Sequence, residues 1–222
     1  MSKKILALDT SGENCSVALL KDNYIDHMYK KCNHDHGENI LPMIKNILWK
    51  NSITINELNA IAFSQGPGKF TGLRISSGIA QGLSLVYNTP LIGISTLSIL
   101  AEKSWEKEKI THVITLLHAQ TNKIYWAQYI RNHENIWSLK KLELMFGINN
   151  INYKLSKLEG TWLIIGNKYL LKKIIINANY KLYLKFFYIK YFNAKDIIPI
   201  ALFTLKSKHI LSLNQAIPYY LE

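Results

Sequence analysis

Cysteine is almost missing from this chain. Cys15 and Cys32 are its whole complement in 222 residues, which excludes a disulfide framework, and their spacing is not that of a metal-binding set. No apolar run is long enough to cross a bilayer, and Met1-Ser2-Lys3-Lys4 leads straight into a strand instead of a secretion signal. A cytoplasmic protein without a membrane partner is expected. Carboxylates are few, 15 against 27 basic residues, and arginine is scarcer still, with only Arg74 and Arg131. The net charge of +12 would ordinarily point to nucleic acid. Here Lys, Ile, Asn and Tyr are abundant together, the residue set of AT-rich codons, so a biased genome accounts for much of the basicity without any ligand.

The charge is uneven. Residues 1–110 carry 12 basic and 10 acidic groups, residues 111–222 carry 15 and 5. In the second half Lys168, Lys172, Lys173, Lys181, Lys185, Lys190 and Lys195 interleave with Tyr180, Tyr183, Phe186, Phe187, Tyr188 and Tyr191. Such a mixture suits an RNA surface, although a solvated face over core aromatics explains it more simply. Catalytic constellations are also missing. No Ser-His-Asp or Cys-His arrangement is supported by residue order. His34-Asp35-His36 has the look of a metal cluster, but the position four after His36 is Ile40, so no second histidine shares its helix face.

What the chain does contain is Ser64-Gln65-Gly66-Pro67-Gly68-Lys69-Phe70-Thr71-Gly72-Leu73-Arg74, a strand-to-helix turn. An apolar run at 59–63 precedes it, and Leu73, Ile75, Ile79, Leu83 and Val86 then recur at helical spacing. The exposed amides of such a turn could cradle phosphate, yet the order of Lys69, Phe70, Thr71 and Gly72 satisfies neither the Walker nor the dinucleotide pattern. In the helix, Gly72, Ser76, Ala80 and Ser84 fall four apart with Gly78 and Gly82 beside them. A row so bare admits close approach of another element, within the domain or from a partner chain. The preceding helix, expected at about 37–51, carries an apolar stripe of Ile40, Met43, Ile44, Ile47 and Leu48 widened by Leu41. Pro42 is expected in its first turn.

Strand patterns at 4–8, 15–20 and 24–30, followed by alternating helices and strands, repeat at 113–117, 123–131 and 136–144, with further helices at 150–157, 168–175 and 199–208. A duplicated three-strand meander is the plan of the two-lobe actin-like, sugar-kinase and Hsp70 ATPases, an α/β fold with an RNase H-like mixed sheet in each lobe. We expect an N-terminal lobe at 1–105 and a smaller, basic lobe at 106–222 whose terminal helix packs back on the first. Such ATPases need a phosphate loop and a carboxylate in each lobe. Asp9-Thr10-Ser11 is compatible in the first. His118-Ala119-Gln120-Thr121-Asn122 in the second has neither carboxylate nor glycine, so ATP turnover by this chain alone is not expected.

Several segments carry a resemblance: Ile5-Leu6-Ala7-Leu8-Asp9-Thr10-Ser11, Cys15-Ser16-Val17-Ala18-Leu19, Ile40-Leu41-Pro42-Met43-Ile44, the glycine motif through Arg74, Gly78-Ile79-Ala80-Gln81-Gly82-Leu83 and Ile124-Tyr125-Trp126-Ala127. In these the chain resembles the bacterial TsaB (YeaZ) family, densely from residue 4 to about 131 and thinly beyond, at Pro199-Ile200-Ala201 and Ala216-Ile217-Pro218-Tyr219-Tyr220-Leu221. The resemblance implies a non-catalytic relative of TsaD, the metal-dependent subunit that places threonylcarbamoyl on the adenosine next to the anticodon of tRNAs reading A-starting codons. It implies pairing with TsaD through N-terminal helices, assembly with the ATPase TsaE, and tRNA bound by the complex. The pairing residues would be Ile40, Leu41, Met43, Ile44 and Ile47 on one helix and Phe70, Thr71, Arg74, Ile75, Ser76, Ile79, Ala80 and Leu83 on the other. Asp9, Thr10 and Ser11 would be the vestige of a cofactor loop, ATP or ADP at the complex not being turned over by this chain. Self-association through the same face when alone is left open. Two positions depart from the family: His118-Ala119-Gln120 replaces a common Asp-Ala-Arg, and Lys69 a common Ser. The competing reading is an enzyme, either a nucleotide-hydrolysing or a glycoprotease-like member of the two-lobe superfamily.

Overall fold

The computed structural model describes residues 3–120, 122–172, 174 and 181–221. Two compact units are formed, one from Met1–Thr96 with Asn193–Tyr219, the other from Leu97–Phe192 with the last residues.

The first unit starts with the meander β1 (Lys4–Asp9), β2 (Asn14–Lys21) and β3 (Tyr24–Lys31). Helix α1 (His36–Lys50), strand β4 (Ala60–Gly66), helix α2 (Phe70–Tyr87) and strand β5 (Leu91–Ser95) follow. The sheet order is β3-β2-β1-β4-β5. β1 pairs antiparallel with β2 and parallel with β4. It is therefore central and covered on both faces, which is why Ile5, Leu6, Ala7 and Leu8 run apolar without alternation. Period two still sorts them: Leu6, Leu8, Val17, Leu19, Ile61, Phe63 and Leu91 form one core with α1 and the inner side of α2. Pro42 is the seventh residue of α1, past the first turn where the sequence placed it, so its missing N–H does remove a helical hydrogen bond.

The second unit comprises α3 (Thr96–Glu108), β6 (His112–His118), β7 (Lys123–Arg131), β8 (Trp137–Leu139), β9 (Leu144–Gly147), α4 (Ile151–Leu155), β10 (Gly160–Gly166), α5 (Lys168–Lys172) and β11 (Leu182–Tyr188). Its sheet order, β11-β10-β6-β7-β8, with β9 beside β7, repeats the first. Again the opening strand pairs antiparallel with the next and parallel with the fourth segment. The duplication is real, with two differences from expectation. The third meander strand, read as one run at 136–144, is broken in two around Lys140-Lys141. The lysine and aromatic run includes a strand, β11, that the pattern concealed. Leu182, Leu184 and Phe186 pack on the core while Tyr183, Lys185 and Tyr188 are exposed, so the interleaving is strand alternation. Thr121, Lys173, Ile175 and Tyr180 lie outside the described residues.

Glu102 on α3 accepts hydrogen bonds from Arg131 Nη1 at 2.6 Å and Trp137 Nε1 at 2.8 Å. Arg131 also stacks on Trp105 and Trp137, 4.5 and 5.1 Å from their centroids. One of the two arginines is thus structural. After β11 the chain returns to the first unit. A 3-10 turn (Ala194–Ile197) and helix α6 (Ile198–Lys206) pack against β1 and β4, pinned by Ala194 N donating to Ser16 Oγ at 2.9 Å.

Candidate functional site

The glycine motif makes the turn from β4 into α2 and lies against the end of β1. Lys69 N donates to Ser11 O at 2.8 Å, and Thr10 Oγ1 donates to the Gly72 carbonyl at 2.6 Å. A Cβ on Gly72 would stand 2.9 Å from the Thr10 carbonyl carbon and overlap its oxygen, and one on Gly68 would stand 2.8 Å from Ser11 O. These glycines are needed because backbone meets backbone, an approach that a methyl group closes. Gly66 adds a positive φ of 122°, which a side chain tolerates poorly.

Asp9 is 2% exposed at the end of β1, and Thr10 and Ser11 are buried beside it. Its Oδ1 accepts from the Ser11 hydroxyl at 2.6 Å and the Ser11 amide at 3.1 Å. Burial pushes its carboxyl above the ordinary range, and the Ser11 and Ser64 hydroxyls only partly offset this. The Asp9-Thr10-Ser11 donors are already turned inward: Ser11 to Asp9, Thr10 to Gly72. Those two hydroxyls and the Ser11 amide are spent inside the unit, which does not fit a phosphate cradle built from free donors. The matching place in the second unit holds His118 and Gln120, both exposed, with Tyr169 edge-on to His118 at 6.2 Å. His36 is buried with Nε2 3.2 Å from Gly12 O, and Asp35 accepts from Asn39 and from Asn33 N. Among the described residues no cluster of three metal-ligating side chains occurs.

The two helices divide the proposed pairing residues. Ile40, Ile44, Ile47, Ser76 and Ala80 are buried inside the unit. The row Gly72, Ser76, Ala80, Ser84 therefore faces the chain's own sheet, not a partner: Ser76 Oγ donates to Leu73 O at 3.2 Å with Ser64 O at 3.4 Å, and Ser84 Oγ donates to Thr89 O at 2.7 Å. Small residues are there to let α2 settle on β4. Met43, Ile75, Ile79 and Leu83 pack partly on the same core. Leu41, Phe70, Thr71 and Arg74 are exposed, the Arg74 guanidinium standing 3.8 Å over the Phe70 ring.

Sequence reading named Thr71 and Arg74 for pairing and noted Gly78 and Gly82, but it missed Leu85 and Trp49 and the outer face these residues make. Thr71, Arg74, Gly78, Gly82 and Leu85 share one face of α2 and are all exposed, Leu85 at 67%, with Val86 at 69% beside it. A Cβ at Gly78 or Gly82 would meet nothing within 4 Å. On α1, Trp49 is 81% exposed. Leu85 and Val86 stand side by side in the last turn of α2, and neighbouring exposed apolar groups of this kind mark interaction surfaces. Mid-helix glycine in open space costs up to about 1 kcal/mol relative to alanine, and nothing in the unit requires it. Gly78→Ala and Gly82→Ala should each therefore raise the stability of the isolated protein by roughly 0.5–1 kcal/mol, read by urea unfolding, and should weaken partner association if a backbone seats on these positions.

In the second unit, Lys185 pairs with Glu108 at 2.5 Å and Lys181 with Glu159 at 3.4 Å, so part of the lysine excess is locally neutralised.

Two sheets of one strand order, each a meander extended by parallel strands, define a two-lobe α/β protein of the actin-like kind. Residues 29–148, just over half of the chain, match the family model described as TsaD, tRNA N6-adenosine threonylcarbamoyltransferase. The chain is 46% identical over 208 residues to the tRNA threonylcarbamoyladenosine biosynthesis protein TsaB of Buchnera aphidicola subsp. Schizaphis graminum, covering 94% of this chain and 97% of that one. The TsaB of Escherichia coli K12 is 38% identical over 163 residues, 73% of this chain and 71% of the relative. A crystal structure from Pseudomonas aeruginosa, described as an uncharacterized protein with similarity to peptidase YEAZ, superposes with a TM-score of 0.86 at 26% identity, covering 99% of this chain and all of that one. The chain belongs to the TsaB (YeaZ) family.

Proposed function

We propose that this protein is a non-catalytic subunit in tRNA threonylcarbamoyladenosine biosynthesis, pairing with a TsaD subunit through the outer faces of α1 and α2, with TsaE joining the pair. The observation that carries the reading is the exposed, partly glycine-lined stripe Thr71, Arg74, Gly78, Gly82, Leu85 on α2, with Phe70 against Arg74, together with exposed Leu41 and Trp49 on α1. A face of this kind has its best use under another apolar helical surface, since buried apolar area drives association and absent side chains bring backbones close. The inward-turned Asp9-Thr10-Ser11 segment supports the non-catalytic part. In this reading ATP or ADP bound at the complex is not turned over by this chain, and tRNA is held by the assembly.

The test is size-exclusion chromatography of this protein with TsaD from the same organism, with and without tRNA. A single co-eluting peak containing both chains is expected, together with no ATP hydrolysis by this protein alone. Separate elution of the two chains under both conditions would overturn the pairing, and hydrolysis by the lone chain would overturn the non-catalytic role.

A further inference from the structure

After α6, residues 211–219 cross the first unit again as an irregular tail whose backbone is held at five points. Leu211 N donates to Leu91 O at 2.9 Å. Gln81 Nε2 on α2 donates to Leu213 O at 2.9 Å. Gln65 Nε2 donates to both Gln215 O at 3.1 Å and Ile217 O at 2.9 Å, and Tyr219 N donates back to Gln65 O at 2.7 Å. Two glycines make room for the tail and its anchor: a Cβ on Gly66 would stand 2.6 Å from Tyr219 O, and one on Gly93 would stand 2.6 Å from Gln65 Cδ and 2.9 Å from Leu211 Cδ1. The glycine motif thus has two duties. Its second half seats α2 on β1, and its first half, Gln65 and Gly66, anchors the tail.

Ala216 is fully buried in the core, but Leu213, Ile217 and Tyr219 are exposed, the last two at 55% and 54%. The molecule fixes the tail's backbone while leaving these side chains outside. Gln81 is three residues after Gly78 and four before Leu85, hence their neighbour on the helix surface, so the tail borders the bare stripe of α2. Residues 211–219 contain no charged side chain although the chain carries +12 overall. That chemistry suits an apolar protein surface and not a phosphate backbone.

We infer that residues 211–219 are a third element of the partner face, latched beside α2 by Gln65, and that their exposed side chains contact the same TsaD subunit. This rests on the pairing reading above. Three variants test it in titrations against purified TsaD. Ile217→Ser with Tyr219→Ser leaves the latch intact and should raise Kd about tenfold or more with an unchanged unfolding midpoint, since rigid aromatic and aliphatic anchors carry interface energy. Gln65→Ala should raise Kd similarly and also speed amide hydrogen exchange across 211–219. Leu85→Lys reports on the pairing reading itself. Wild-type Kd in the double variant alongside lost binding in Leu85→Lys overturns the tail's role and keeps the pairing. Wild-type Kd in all three overturns both. A double variant that alters only self-association in sedimentation, with TsaD affinity intact, assigns the tail to a second copy and overturns the inference. Unchanged exchange in Gln65→Ala removes the latch.

Discussion

Gly72→Ala should be among the most damaging single-methyl changes available in this protein, costing about 3 kcal/mol and lowering the unfolding midpoint by roughly 10 °C. Intrinsic preference predicts the opposite sign, because alanine in a helix is favoured over glycine by about 1 kcal/mol. Position decides. The new methyl would overlap the Thr10 carbonyl oxygen and stand 2.9 Å from its carbon, and Thr10 is fully buried next to the central strand. Since the obstacle is backbone, no rotamer change relieves it. Either α2 lifts, breaking the 2.6 Å bond from Thr10 Oγ1 to the Gly72 carbonyl, or the end of β1 bends. Thermal and urea unfolding beside Gly78→Ala, which has open space around it, give opposite signs for one chemical change in one helix. Equal midpoints for Gly72→Ala and wild type would show that the contact is not held in solution.

That contrast also shows where the sequence was readable. Periodicity assigned α2 and its two kinds of row correctly, but it could not say which row faced the sheet. Gly72, Ser76, Ala80 and Ser84 suited an approach from within the domain or from a partner chain equally, because small residues admit either. The approach belongs to the chain's own sheet: Ser76 Oγ stands 3.4 Å from Ser64 O on β4, and Ser84 Oγ donates to Thr89 O just before β5. The exposed glycines were read as a flank of the apolar row, and only the filled and empty space around each Cβ position separates the two sets. Similarly, the duplicated meander was legible because β1 and β6 are buried runs ending at Asp9 and His118 in equivalent pairings. β11 was not legible, since at an exposed sheet edge alternation between leucine and lysine or tyrosine resembles a surface composition. The tail anchor was beyond reach for a different reason. Gln65 meets Gln215 and Ile217 across 150 and 152 residues, and a side-chain amide bonding two carbonyls leaves no periodic trace.

Leu85→Lys should abolish measurable pairing with TsaD, a loss of a hundredfold or more in affinity, while leaving the free protein as stable as before. Leu85 is 67% exposed, so in the lone chain the ammonium stays in water and surface substitutions of this kind shift stability by no more than about 0.5 kcal/mol. It sits in the last turn of α2, where a cation interacts favourably with the helix dipole, so any small effect on folding should be stabilising. Under a partner the same charge must be stripped of water without a counter-charge, for which breaking-type penalties run to about 3–5 kcal/mol. This makes it a cleaner probe than substitution of Ser76, whose side chain is fully buried against the sheet, so that any bulky replacement unfolds the unit before reaching a partner. Ile79→Glu falls between the two, because Ile79 packs partly on the core and would lose both folding and pairing energy. The decisive measurement is therefore the pair of numbers for Leu85→Lys: an unfolding midpoint at the wild-type value and co-elution with TsaD reduced to nothing. Full co-elution at low salt and at high salt alike would mean that the bare face of α2 stays in water in the complex, and the pairing surface would have to be sought elsewhere in the molecule.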